Sequence, residues 1–180
     1  MTTRSARTRV ALLAAALAGT SAYLIPFSTA ASVDIPPGYE LVAAHSGMAA
    51  LVNGPPELDG TPVVQWPGNG GGNQRWVPLA FGDAFVFVNV SNGTVLDVAG
   101  ASTQNGAIVI QHQWSGSASQ VWRLYPFGPT HYVFINLGSG KALDVAGAST
   151  VPGAPVIQWD WIAGSNQVWR EVVVGIPPPE

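Results

Sequence analysis

The sequence predicts an all-β domain made of three copies of one structural unit, and three observations lead to this prediction. The string LDVAGAST occurs at 96–103 and again at 143–150, so two copies lie 47 residues apart. Short β-branched and aromatic runs alternate with turns rich in Gly, Ser, Asn and Pro. No segment shows the capped 3.6-residue apolar period that is typical of an amphipathic helix.

The internal repeat extends over most of the chain after its first 40 residues. VIQHQW and VIQWDW, and also two QVWR strings, are again 47 residues apart, and a more divergent first copy contains LVNG, VVQW and QRW. In all three copies the Gln of Q-x-W follows the Gln of V-[VI]-Q by nine residues. We therefore expect three repeats, at about 40–80, 81–127 and 128–174.

Each repeat is expected to contain four short strands, which gives about twelve strands in the domain. FVFVNV (85–90) and YVFINL (132–137) are strand-forming runs that end near Ser-Asn-Gly and Gly-Ser-Gly turns. VLDVA, IVIQHQW and QVWRLY supply the other strands of the second repeat. Threefold repetition lets strands close on one another, so that few sheet edges stay exposed.

Residues 1–30 are expected to form a secretory signal peptide. Three arginines occur within the first nine residues, an apolar run follows at 10–18, and small residues surround Ala30. The apolar run is interrupted before it reaches the ~20 residues that a membrane span needs. We expect cleavage after Ala30, a secreted product, and one domain over 31–180.

Composition and charge exclude several classes of function. Charged residues make up 9% of the chain, against roughly 25% in an average soluble domain. Loss of the three signal arginines would change the formal net charge from −3 to −6. Because phosphate recognition needs clustered Lys and Arg, nucleic acid and anionic membrane are not expected partners. The absence of Cys excludes disulfides and thiolate sites, the His residues show no metal-binding spacing, and no cofactor is expected.

The three Q-x-W motifs, with LDVAGAST ahead of two of them, resemble the ricin B-chain lectin family and its bacterial carbohydrate-binding members. The motifs are Gln74-Arg75-Trp76, Gln120-Val121-Trp122 and Gln167-Val168-Trp169. The resemblance covers roughly residues 40–174. It implies a β-trefoil fold with up to three shallow carbohydrate sites, one in each repeat.

The residue types that the family uses suit a sugar ligand. An Asp carboxylate accepts charge-assisted hydrogen bonds from adjacent hydroxyl groups. An aromatic ring provides a flat apolar surface for the C–H face of the sugar, and an amide both donates and accepts. The family pattern places the Asp early in the repeat, the aromatic residue after the middle strand, and an Asn or His just before Q-x-W.

The third repeat matches this pattern best. The residues carried over there are Asp144, Trp159, Asn166 and Gln167. The second repeat has His112 at the aromatic position and Ser119 in place of the Asn, with Asp97 and Gln120 as its other candidates. We expect it to bind less well than the third repeat.

The first repeat is expected to be the most impaired of the three. It has Asn53 in place of the Asp, and its loop is expected to be two residues shorter than in the other copies. Its remaining candidates are Trp66, Asn73 and Gln74.

The other tryptophans are expected to be structural. The Q-x-W tryptophans should lie in the core, and their Gln partners should hold the fold through backbone hydrogen bonds even if they also contact sugar. Trp114 and Trp161 occupy positions where bacterial relatives often carry Cys, so they are expected to pack in place of a disulfide.

The sequence thus favours a secreted, non-catalytic lectin that binds galactose-type sugars or a plant or microbial polysaccharide. One alternative is a trefoil with decayed sugar sites that acts as a protein-interaction or inhibitor module, and another is an accessory module of a glycosidase. An enzyme is not expected, since glycoside hydrolysis needs two facing carboxylates and Asp97 and Asp144 belong to different repeats. The identity of the sugar and the oligomeric state are not encoded in these motifs.

Overall fold

Six strands form a closed antiparallel barrel in the computed structural model, which describes residues 38–173. Around the barrel, β1 pairs with β4, β4 with β5, β5 with β8, β8 with β9, β9 with β12, and β12 again with β1. The barrel strands are β1 (Tyr39–Ala43), β4 (Arg75–Phe81), β5 (Ala84–Asn89), β8 (Trp122–Pro126), β9 (Tyr132–Asn136) and β12 (Trp169–Val173).

Three hairpins cover one end of this barrel. Each hairpin is joined to the barrel strand that precedes it in the sequence, and bridges such as Val64 to Pro155 join the hairpins to one another. The hairpins are β2 (Ala49–Val52) with β3 (Val63–Trp66), β6 (Val95–Val98) with β7 (Val109–His112), and β10 (Ala142–Val145) with β11 (Val156–Trp159). Strands therefore fall four to a repeat, and the predicted all-β, β-trefoil fold of three four-stranded repeats is confirmed.

The Q-x-W tryptophans form the centre of the core, where Trp76, Trp122 and Trp169 are fully buried. Each indole Nε1 donates to a backbone carbonyl of its own repeat's hairpin, at 3.1 Å to Ala50, 3.1 Å to Leu96 and 2.9 Å to Leu143. A buried Trp needs such a partner for its N–H. The same residue therefore fills the core and fastens the hairpin to the barrel.

The buried glutamines of the V-[VI]-Q strings link neighbouring repeats. Gln111 Nε2 donates to the Leu58 carbonyl at 2.9 Å, so the second repeat holds a loop of the first. Gln158 Nε2 donates to the Ser102 carbonyl of the second repeat at 2.7 Å, and Gln65 Nε2 donates to the Ser149 carbonyl of the third at 2.7 Å. The three contacts close a circle, so each repeat holds the loop of the one before it.

The expected signal peptide, 1–30, lies outside the described residues. Within 38–173, no helix is long and apolar enough to cross a membrane. The helical elements of this part of the chain are single 3-10 turns, and three of them immediately precede or overlap the Q-x-W motifs, at Gly72–Gln74, Ala118–Gln120 and Ser165–Gln167.

Candidate carbohydrate-binding sites

Strand register identifies the equivalent positions of the three repeats. Asp97 pairs with Ile110 on the neighbouring strand, and Asp144 pairs with Ile157 in the same way. In the first repeat the residue at this register is Leu51, which pairs with Val64. The first repeat therefore presents a buried apolar side chain where the other two present a carboxylate.

The expectation that Asn53 replaces the Asp is wrong, and so is the expectation of a shorter loop. From Leu51 to Gln65 is 14 residues, as it is from Asp97 to Gln111 and from Asp144 to Gln158. The exposed Asn53 is instead equivalent to Ala99, because both backbone N–H groups donate across the mouth of their hairpins, to Pro62 and Ile108. The Gln of V-[VI]-Q follows the Asp position by 14 residues in every repeat. An alignment anchored on that Gln, and not on LVNG and LDVA, therefore gives the correct equivalence.

The third repeat brings its predicted residues together. Asp144 is buried on β10, and Asn166, in the turn ahead of the Q-x-W tryptophan, donates from Nδ2 to its Oδ1 at 2.9 Å and to the Val145 carbonyl at 3.1 Å. Trp159 ends the partner strand β11 and is 40% exposed. The repeat therefore combines an oriented carboxylate, an oriented amide and an accessible aromatic ring.

Burial shapes the electrostatics of this carboxylate. Loss of water around Asp144 raises its pKa above the usual range of an aspartate, and the side-chain amides of Gln167 and Asn166 oppose the rise. His45, in the neighbouring first repeat, opposes it more weakly through its charge. A buried carboxylate with lone pairs left over is a strong acceptor for a ligand that donates hydrogen bonds.

The Q-x-W glutamines hold the aromatic loops, and all three are fully buried. Gln167 donates to the Asp160 carbonyl at 2.8 Å and accepts from the Ile162 N–H at 2.9 Å. Gln74 donates to the Pro67 carbonyl at 3.0 Å, and Gln120 to Gln113 at 2.7 Å. The sequence predicts that Gln74, Gln120 and Gln167 contact sugar. Because they are fully buried, they instead position the loops that carry the aromatic residues.

The second repeat keeps its acid but lacks the amide. Gln120 Nε2 donates to Asp97 Oδ2 at 3.0 Å, whereas the buried Oδ1 of Asp97 has no hydrogen-bond partner. Ser119 is occupied with Ser117, their hydroxyl oxygens being 2.7 Å apart. His112 lies with Nε2 3.2 Å from Asp59 and Nδ1 3.8 Å from Asp97, so its ring is held between two carboxylates.

The first repeat keeps an accessible ring without an acid. Trp66 is 43% exposed, and Asn73 Nδ2 donates weakly to the Val52 carbonyl at 3.4 Å. A Cβ on Gly153 would lie 3.7 Å from the Trp66 ring, so this tryptophan also packs against the loop of the third repeat. With Leu51 at the acid position, the repeat offers stacking but no charged acceptor.

Sequence reasoning missed the residues that reach each site from the preceding repeat. Asp59 accepts from the Gln113 N–H at 2.8 Å beside His112. The equivalent residue of the second repeat, Asn105, accepts from the Asp160 N–H at 2.9 Å beside Trp159. Both lie one residue before a positive-φ glycine of the repeated loop, and that constant offset is the one sequence signal that could have pointed to them.

Trp114 is partly buried against a small apolar cluster that includes Val86 and Val121, whereas Trp161 packs at the surface. Trp114 meets Phe81 edge-to-face with ring centroids 5.7 Å apart, and Trp161 meets Phe127 in the same way at 6.0 Å. Trp161 remains 39% exposed. The expected apolar packing is present in both places, although it leaves much of Trp161 accessible.

Metal coordination finds no support in the part of the chain that the structure describes. Between residues 38 and 173 no group of three or more His, Asp or Glu side chains is placed to hold a metal ion.

The fold and the sites together define a lectin-type β-trefoil. The family described as ricin-type beta-trefoil lectin domain-like matches the sequence in three overlapping segments, 29–112, 73–159 and 118–175. The chain belongs to this family.

Solved structures show the same fold. ThreeFoil, a designed threefold-symmetric protein, is 45% identical over 74% of this chain and 96% of its own, with a TM-score of 0.73. The exo-β-1,3-galactanase 1,3Gal43A from Clostridium thermocellum is 32% identical with a TM-score of 0.73, over 77% of this chain but only 30% of the enzyme. The ricin B-like lectin of Macrolepiota procera, solved with lactose, is 20% identical over 79% of this chain and 99% of its own, with a TM-score of 0.67. Among proteins with curated descriptions, none matches the sequence.

Proposed function

We propose that the chain is a secreted, non-catalytic lectin whose main site lies in the third repeat and binds galactose-type sugars or a plant or microbial polysaccharide. The observation that carries this proposal is the assembly of Asp144, Asn166 and Trp159 into one site. The carboxylate accepts from two neighbouring hydroxyl groups, the amide orients it, and the indole stacks on the C–H face. Such a site suits a neutral ligand that donates hydrogen bonds.

The preference for galactose-type sugars rests on the relatives. The galactanase is named for a β-1,3-galactan substrate, the Macrolepiota lectin was solved with lactose, and an earthworm lectin of the same fold was solved with GalNAc. Secretion is supported by the basic, apolar and small-residue order of residues 1–30.

Two further observations favour narrower roles. Similarity to 30% of the galactanase chain favours an accessory role beside a glycosidase. Leu51 in the first repeat and Ser119 in the second favour the loss of sugar binding there, so that those faces would serve packing or a protein partner. Neither changes the assignment of the third repeat.

A glycan array tests the proposal. The folded protein, from residue 31 onward, should give signal on galactose-terminated glycans or on a plant or microbial polysaccharide. A folded protein that binds no glycan on the array would overturn the proposed function.

A further inference from the structure

The three repeats meet at three equivalent seams. At each seam, the loop of one repeat contacts the turn that leads into the hairpin of the next repeat. In the seam between the first and second repeats, the loop is 55–60 and the turn is 91–94. Strand register shows that Met48, Thr94 and Lys141 occupy one position in the three seams, since each directly precedes a residue paired with Trp66, His112 or Trp159. The molecule therefore contains three natural variants of the same contact.

The seam between the second and third repeats holds an ammonium group. Lys141 Nζ lies 2.5 Å from Asp160 Oδ1, and the lysine side chain is only 14% exposed. Asn105 Nδ2 donates to the other oxygen of the same carboxylate at 2.7 Å. The hydrogen bonds from Lys141 and Asn105 keep the pKa of Asp160 below its usual range. The carboxylate of Asp160 thus binds the primary ammonium group, and the Asn105 amide from the preceding repeat orients that carboxylate.

The seam between the first and second repeats has the same carboxylate and amide with their positions exchanged. Asp59 stands at the position of Asn105, and Gln113 stands at the position of Asp160. Thr94, at the position of Lys141, is too short to reach them, and its hydroxyl is already bonded to Gln111 at 3.0 Å. This seam therefore keeps one carboxylate and one side-chain amide, with Asp59 already accepting from the Gln113 N–H and lying beside His112, but it has no ammonium group.

A cleft lies beside Thr94. Its volume is about 410 Å³, and it is lined chiefly by Glu57, Asp59, Ser91, Asn92, Thr94 and Gln113. None of its lining residues is Lys or Arg. The volume falls in the range of ~300–1,000 Å³ that is typical of small-molecule sites.

The neighbouring sugar position adds a third carboxylate. Asp97, whose side chain is 10% exposed, leaves Oδ1 without a hydrogen-bond partner. His112 connects it to the cleft, because the same ring lies beside both Asp97 and Asp59. Negative charge therefore extends from the cleft to the aromatic position of the second repeat.

We propose that the seam between the first and second repeats is a binding cleft for the primary ammonium group of an amino sugar. This inference rests on the proposed function, since it places the sugar ring against the second repeat. The ammonium group takes the place that Lys141 fills in the next seam and donates to Asp59 and the Gln113 side chain. N-acetylation removes both the charge and two of the three N–H donors, so the site discriminates against acetylated sugars.

Calorimetric titration at neutral pH tests the inference. Galactosamine and glucosamine are each compared with the N-acetyl form and the parent hexose, and n-butylamine tests the ammonium group alone. At least one amino sugar should bind at least about tenfold more tightly than its acetylated form, the loss expected for one charge-assisted hydrogen bond. Equal affinity would overturn the inference, and n-butylamine binding as tightly as the amino sugar would overturn the assignment to a sugar.

Two substitutions locate the binding. Thr94→Lys supplies the cleft with the side chain of the third repeat, and Thr94→Met supplies that of the first, so both residues are already accommodated at this position in this chain. Both variants should lose the preference for the amine, as should Asp59→Asn. Retention of the preference in Thr94→Lys would place the amine elsewhere and overturn the proposal.

The outcome is separable from that of the proposed function. Neutral galactose binding that depends on Asp144, without any preference for amines, leaves the proposed function standing and overturns only the cleft. Amine-selective binding that Thr94→Lys removes, without any binding of neutral sugar, supports the cleft and counts against the third-repeat site.

Discussion

Asp144 combines burial with two amide neighbours, and this combination sets how its charge responds to pH. Removal from water disfavours the carboxylate, whereas hydrogen bonds from Asn166 and Gln167 favour it. Because burial dominates, the pKa lies above the usual range of an aspartate. Burial makes the ionised form of Asp144 less favourable, and a ligand that donates hydrogen bonds to the carboxylate offsets this desolvation cost.

Sugar affinity should therefore fall at mildly acid pH. In the folded protein, Asp144 takes up a proton at higher pH than an ordinary aspartate would, and the protonated group is a poorer hydrogen-bond acceptor for the sugar. Dissociation constants measured from pH 7 down to pH 4 check this. Constant affinity down to the pH at which ordinary aspartates titrate would contradict it.

Protonation also affects folding stability. Because the proton binds more tightly to the folded than to the unfolded chain, the contribution of Asp144 to stability rises as pH falls and is lost as pH rises through the folded pKa.

The difference between the second and third repeats depends on a glycine two residues before the amide. A Cβ on Gly164 would lie 2.5 Å from Asn166 Oδ1, and one on Gly71 would lie 2.8 Å from Asn73 Oδ1. The second repeat has Ser117 at this place, so an Asn at 119 would clash with the serine Cβ. The amide in the orientation seen for Asn166 therefore goes together with the glycine, and the second repeat lacks both.

This coupling predicts a rescue that needs two substitutions. Ser117→Gly with Ser119→Asn should give Asp97 Oδ1 its missing donor, raise the thermal midpoint, and add a second neutral-sugar site. An unsatisfied buried acceptor costs about 1–3 kcal/mol, which sets the scale of the gain. Ser119→Asn alone should lower the midpoint because of the clash. Calorimetric stoichiometry and thermal melts of both variants provide the measurement, and a single variant as stable as the double would refute the coupling.

The sequence predicts equivalent positions correctly where the repeat copies are nearly identical, and strand register corrects the prediction where they diverge. Asp97 and Asp144 follow from LDVAGAST, but matching LVNG to LDVA moved the first repeat by two residues and selected Asn53. Strand register places Leu51 there. Contacts made by Asp59 and Asn105 were not visible because they arise between repeats, where sequence spacing gives no distances.

At the scale of the elements, each Q-x-W segment joins a barrel strand to a 3-10 turn. Trp169 begins β12, which closes the barrel against β1 through five residue pairs. Its indole is fully buried and fixes the third hairpin through Leu143. The strand, the hairpin and the barrel closure therefore depend on one side chain.

Trp169→Ala should destabilise the domain by about 3–5 kcal/mol, as large-to-small changes of buried aromatic residues do. That loss is a large part of the ~5–15 kcal/mol by which domains are usually stable. Thermal melts should show a strongly lowered midpoint. Trp159→Ala is the matched control, because this ring is 40% exposed, and it should weaken sugar binding with little change in the midpoint. Equal midpoints for the two variants would contradict the division between core and ligand-facing tryptophans.

The elements themselves were largely predictable. Turn residues and β-branched runs gave four strands per repeat, because the short-range pattern alone decides where a strand can begin and end. The inter-repeat bonds of Gln65, Gln111 and Gln158 were not predictable, since a buried Gln in a strand has no local signal that names its partner.

At the scale of the whole molecule, pseudo-threefold symmetry holds the fold together while the sites diverge. The circle of glutamine contacts and the closed barrel recur in every repeat. The acid position carries Leu51, Asp97 and Asp144, and the seam position carries Met48, Thr94 and Lys141. One scaffold therefore supports three chemically different faces, of which the third combines a buried aspartate, an asparagine amide and an exposed tryptophan.

Calorimetric titration of Asp144→Ala with the best galactose-type glycan from the array tests this claim most directly, with Asp97→Ala as the matched control. Asn166 also donates to the Val145 carbonyl, a bond that does not involve Asp144, so the fold of the variant should persist with a nearly unchanged thermal midpoint. We predict that binding is lost in Asp144→Ala and retained in Asp97→Ala. Undiminished binding by a folded Asp144→Ala variant would contradict the assignment of the third repeat.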